Sequence, residues 1–73
     1  MATIEVKSDI TGTVCQIIAG AGDRLQAGDT ILVVESMKME IPVSAPASGL
    51  LSKICIAVDT AVSEGDVLAV LES

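Results

Sequence analysis

Ile4 and Val6 alternate with Glu5 and Lys7, the period of a half-buried strand. Ser8-Asp9 interrupts that strand, and a second apolar run opens at Gly12 and continues through Val14, Cys15, Ile17 and Ile18. Gly20-Ala21-Gly22-Asp23 reads as a turn, because glycine tolerates positive φ. Leu25 is a short apolar anchor before another tight turn, Ala27-Gly28-Asp29. Thr30 to Val34 then forms a strand whose apolar residues fill both faces, so periodicity does not choose its inward side. Ile31-Leu32-Val33-Val34 and Ile41-Pro42-Val43 are short and rich in β-branched residues. Between them lies Glu35-Ser36-Met37-Lys38-Met39-Glu40, too short for anything but a tight reversal. A β-hairpin is expected, with Lys38 at its tip and a methionine on each side. Hairpin tips usually carry a glycine-containing pair. Exposed methionines at a tip gain nothing for folding.

The second half repeats the first. Gly28-Asp29 recurs as Gly65-Asp66, an offset of 37 (65 − 28). The same register pairs Ile4 with Ile41, Val6 with Val43, Gly12 with Gly49, Ile17 with Ile54, Val33 with Val70, Glu35 with Glu72 and Ser36 with Ser73. Conservative pairs fill the gaps: Val14 with Leu51, Leu25 with Val62, Ile31 with Leu68. Two units are too few for a solenoid, so the halves must cover each other. The reading is all-β: a flattened barrel or sandwich of two four-stranded antiparallel sheets with a pseudo-two-fold internal repeat. The expected core is Ile4, Val14, Ile17, Leu25, Val33, Ile41, Leu51, Ile54, Val62 and Val70. The symmetry also places both chain ends at the edge opposite the lysine tip. Pro42 and Pro46, which flank Val43, suit a strand edge because proline lacks an N–H.

The chain of 73 residues is read as one domain, 1–73, near the lower size limit for folding without staples. It lacks Phe, Tyr and Trp, so the core must be built of aliphatic side chains, and bases would find nothing to stack on. A formal charge of -6 repels phosphate, which argues against nucleic acid and anionic membrane as partners. There is no histidine. Cys15 and Cys55 sit within apolar β patterns and are expected to be buried, reduced thiols. The N-terminus has no basic region leading into a long apolar stretch, and a cytoplasmic, monomeric protein is expected. No catalytic pairing or metal set stands out. Asp23, Asp29, Asp59 and Asp66 fall in turns, where their carboxylates can bond nearby backbone.

Met37-Lys38-Met39 after Glu35 resembles the attachment motif of biotinyl domains, the biotin carboxyl carrier family, and the resemblance runs from the first strand to Glu72. It implies covalent biotin on the ε-amine of Lys38. It also implies recognition by a biotin protein ligase through Glu35, Ser36, Met37, Met39 and Glu40. The partners implied are biotin carboxylase and carboxyltransferase, between which a free-standing carrier without catalytic residues moves a carboxyl group. The family's commonest motif has alanine where this chain has Ser36. Serine is commoner in the related lipoyl domains, so lipoate on Lys38, attached by a lipoyl ligase, is the alternative. An unmodified β-sandwich interaction module is the third reading. Some biotinyl domains carry a thumb loop in the first half; here Gly20–Leu25 matches Ala57–Val62 without added residues, so no thumb is expected. Glu35 and Glu40 would favour the charged form of the lysine, so they are read as recognition and solubility groups.

Overall fold

The computed structural model describes residues 2–73. Eight strands follow one another: β1 (Thr3–Lys7), β2 (Gly12–Ile17), β3 (Arg24–Leu25), β4 (Thr30–Ser36), β5 (Met39–Ser44), β6 (Gly49–Ile54), β7 (Ala61–Val62) and β8 (Val67–Glu72). They form two four-stranded antiparallel sheets, ordered β1-β8-β6-β3 and β5-β4-β2-β7. The sheets face each other as a flattened sandwich whose outer strands leave its edges open.

The internal repeat is a real two-fold relation. Shifting each strand by half the chain turns one sheet order into the other: β1 becomes β5, β8 becomes β4, β6 becomes β2 and β3 becomes β7. The hydrogen bonds that lace the sheets together follow suit. Ser8 N–H donates to Asp66 O at 2.9 Å and Ala45 N–H to Asp29 O at 2.8 Å. Gly22 N–H donates to Leu51 O at 2.8 Å, and Asp59 N–H to Val14 O at 2.7 Å. Gly22 and Asp59 share positive φ, +96° and +73°. The turn aspartates act alike too: Asp29 accepts from Gln26 N–H at 2.9 Å, and Asp66 from Ser63 N–H at 2.8 Å. Those carboxylates are turn builders.

The core contains the equivalent pairs Val14/Leu51, Leu25/Val62, Ile31/Leu68, Leu32/Ala69 and Val34/Leu71, all buried. Four of the expected core residues are among them: Val14, Leu25, Leu51 and Val62. Ile4, Ile17 and Ile54 are half-buried against the core. Ile41 is also only half-buried, and Val33 and Val70 lie half-buried on the outer faces. The last two placements have a cause. Ile31 is an extra residue in the β4–β5 ladder and Leu68 an extra residue in the β1–β8 ladder. Each bulge buries two consecutive residues and then directs Leu32 and Val34, or Ala69 and Leu71, inward.

The same device moves the thiols. Cys15 is the unpaired residue of a bulge in β2, and Ser52 its equivalent in β6. Beyond Ser52 the alternation resets, so Ile54 turns in and Cys55 turns out. Cys55 is exposed, Cys15 is only partly buried, and neither is in a disulfide. The expectation of two buried thiols therefore holds for neither, although both are unpaired.

Candidate lysine-bearing hairpin

β4 and β5 are paired along their length, from Thr30↔Ser44 to Ser36↔Met39. Ser36↔Met39 closes the ladder, so the connection is the two residues Met37 and Lys38. Both have positive φ, +51° and +66°. A two-residue hairpin with positive φ at both central positions is the type I′ arrangement, which matches strand twist but favours Asn-Gly. A long side chain held left-handed costs roughly 1–2 kcal/mol per residue. The turn is therefore sterically costly, and it persists because the ladder below it fixes both ends.

Further contacts brace that ladder. The Ser36 hydroxyl donates to Thr11 O at 3.0 Å, tying the end of β4 to the loop before β2. Glu64 N–H donates to the Thr11 hydroxyl at 3.3 Å, bringing the β7–β8 turn against the same loop. Gly12 lies under the end of β4, where a Cβ would come within 2.4 Å of Glu35 O. Only glycine permits that approach without backbone movement. Thr11 and Gly12 were not singled out as site residues from the sequence. The pairing of Gly12 with Gly49 was the available signal, since a Cβ on Gly49 would meet Glu72 O at 2.7 Å.

The tip projects from this base. Lys38 is exposed, Met37 is 92% exposed and Met39 60% exposed. The methionines do not fold back over the sheet. Glu35 and Glu40 stand directly opposite each other, with Thr13 on the other side of Glu35. Like charges in opposed positions on a sheet are destabilising. Among the described residues the ion pair present is Lys7–Glu5, at 4.0 Å and exposed. Neither Glu35 nor Glu40 is within ion-pair distance of Lys38. Burial of the Cys15 thiol, with Glu40 and then Glu35 adding, pushes its pKa above the ordinary thiol value. Its Sγ lies 3.4 Å from Val33 O. All six residues of Glu35–Glu40 thus lie at or beside one tip. Lys7 and Lys53 are exposed as well, but they project from strands. Position on the fold, and not exposure, separates Lys38 from them.

A family model described as "Biotin-requiring enzyme" matches residues 4–71. This chain is a member of that biotin/lipoyl attachment family. The chain is 37% identical to a biotinylated protein TB7.3 homolog of Mycobacterium leprae (strain TN), across 92% of this chain and 94% of that one. It is 35% identical to the biotin/lipoyl attachment protein of Bacillus subtilis (strain 168), across 93% of each. It also superposes on the crystal structure of the Kluyveromyces lactis urea carboxylase with a TM-score of 0.93 and 33% identity, covering 99% of this chain and 6% of that one. The domain therefore occurs both in relatives of its own length and as a small part of a large carboxylase. Biotin is the cofactor of this group.

Proposed function

We propose that this domain is a biotin carboxyl carrier, with biotin joined in amide linkage to Lys38. The observation that carries the proposal is the tip: an exposed lysine on a two-residue turn, between exposed methionines, where a glycine-bearing turn would fold more easily. The residues fit the group. The amine is free of ion pairs among the described residues, and the β4–β5 ladder holds it clear of both sheets. When bound, biotin supplies a ureido nitrogen that takes up a carboxyl group at one enzyme and releases it at another.

The domain's own residues have simpler tasks. Lys38 provides the amine, and because acylation consumes the neutral amine, the ligase must remove its proton. Met37 and Met39 offer adaptable apolar contacts to that ligase. Glu35 and Glu40 supply charge on the same surface, and Ser36 anchors the turn through Thr11. A biotin protein ligase is the modifying partner, and biotin carboxylase and carboxyltransferase are the working partners. The domain raises the local concentration of the carried group at each of them by tethering and contributes no catalytic residue. It acts as a monomer, and its unpaired thiols suit the reducing cytoplasm.

Lipoylation draws its support from Ser36. The hydroxyl bonded to Thr11 gives that serine a structural use independent of which acyl group is attached. The deciding experiment incubates the domain with biotin ligase, ATP and biotin, then with biotin carboxylase, ATP and labelled bicarbonate. Label on the wild-type domain and none on Lys38→Arg is expected. Equal label on both would overturn the proposal.

A further inference from the structure

β1 and β5 are the outer strands of their sheets and are related by the pseudo-two-fold. They do not pair with each other, and the gap between them is a cleft of about 440 Å³. Its floor includes Val6 and Val43, an equivalent pair that touches the core. Its rim is Glu5, Lys7 and Asp9 on one side and Pro42, Ser44 and Pro46 on the other. That volume lies within the roughly 300–1,000 Å³ of pockets that hold small molecules.

The rim argues against an extended peptide as occupant. Adding a strand along β5 needs its outward N–H groups, and Pro42 has none. On the β1 side the edge carries charges. A compact apolar group with a few polar atoms suits the cleft better. The cleft also runs towards the lysine tip, since β5 begins at Met39 and Ile41 is already in its wall. On the β1 side the chain passes from Lys7 and Asp9 to Thr11, which is bonded to Ser36 beneath the same tip. The end of the cleft nearest the tip therefore combines Ile41 and Pro42 with Lys7 and Asp9.

We propose that this cleft between β1 and β5 is a docking site for the biotin ring carried on Lys38, holding it against the domain between visits to partner enzymes. The inference rests on biotinylation of Lys38 as proposed above. The arm reaches: Ile41 is three residues from Lys38, ~10 Å along an extended strand. The lysyl–valeryl arm has about ten single bonds of ~1.5 Å each, spanning ~12 Å when extended. The chemistry also matches. The bicyclic ring covers Val6, Ile41 and Val43, one ureido N–H donates to the Asp9 carboxylate, and the ureido oxygen accepts from the Lys7 ammonium. Among the described residues, this cleft brings apolar and charged side chains together beside the tip.

The test compares amide NMR spectra of the unmodified and biotinylated domain, with intact mass reporting the adduct. Shift changes at Val6, Lys7, Asp9, Ile41 and Val43, in addition to residues 36–40, are expected. Pro42→Glu, at an exposed edge position, should reduce the cleft changes at least fivefold while leaving those at the tip. Changes confined to residues 36–40 of a fully biotinylated domain would overturn the docking site and leave the carrier assignment intact. Cleft changes that persist undiminished in Pro42→Glu would show a relay along β5 and would also overturn it. Absence of any adduct would overturn both proposals.

Discussion

The lysine hairpin and the meeting of β8 with β1 occupy equivalent places under the pseudo-two-fold, and they differ in instructive ways. At the first, Met37 and Lys38 connect β4 to β5. At the second, Ser73 N–H donates to Ala2 O at 3.0 Å. Both lie over a glycine that no other residue could replace cheaply, Gly12 or Gly49. Glu35 stands opposite Glu40, whereas its equivalent, Glu72, stands opposite Thr3. What the two places share is architecture. What only the hairpin has is costly for folding: left-handed backbone at long side chains, opposed carboxylates and exposed methionines. Features that repeat under the symmetry serve the sandwich, and features that break it against stability are those on which the proposed attachment of biotin to Lys38 rests.

The largest effects should be symmetric. Ile31 and Leu68 are equivalent and fully buried. Ile31→Ala and Leu68→Ala are each expected to lose roughly 2–5 kcal/mol, and by comparable amounts in urea unfolding. A large loss in one half alone would show that the halves do not share one core. Gly12→Ala and Gly49→Ala should follow, at roughly 1–3 kcal/mol each, since each Cβ meets a backbone oxygen. Here the pair should part in a second readout: the folded fraction of Gly12→Ala should be biotinylated more slowly, and that of Gly49→Ala should not. Equal ligase rates would remove Gly12 from the support of the tip.

Smaller effects should break the symmetry outright. Met37→Asn places a residue tolerant of left-handed backbone at φ +51°. It should stabilise the domain by about 0.5–1 kcal/mol while lowering its modification by the ligase. Stability and modification falling together would mean that Met37 serves folding. The thiols give the finest contrast. Cys55 is exposed and Cys15 partly buried, with its pKa raised by burial and by Glu40 and Glu35. A raised pKa leaves less thiolate at any pH near neutrality. Native labelling near neutral pH should therefore modify the exposed Cys55 first, and Cys15 should gain reactivity as the pH is raised.

Much of this was legible in the residues. The β-branched runs on either side of Glu35–Glu40 gave the hairpin, and the recurrence of Gly28-Asp29 at Gly65-Asp66 gave the two-fold. The inward faces of β4 and β8 were not legible. Ile31, Leu32, Val33 and Val34 are all apolar, and the bulge that selects among them is a matter of pairing with β5, which composition does not encode. Cys55 went astray for the same reason: a bulge at Ser52 inverts every side chain after it. The role of Thr11 was hidden because a hydroxyl that braces a turn leaves no pattern along the chain.

The central claim is that Lys38 alone carries the cofactor, and peptide mass mapping tests it most directly. The domain and its Lys38→Arg variant would be co-expressed with biotin ligase, digested and mapped. A side chain on an exposed tip contributes within about 0.5 kcal/mol to stability, so the variant should melt as the wild type does. One biotin adduct, on the peptide containing Lys38, and none anywhere in the folded variant is the predicted result. An adduct on Lys7 or Lys53, or undiminished biotinylation of Lys38→Arg, would contradict the account.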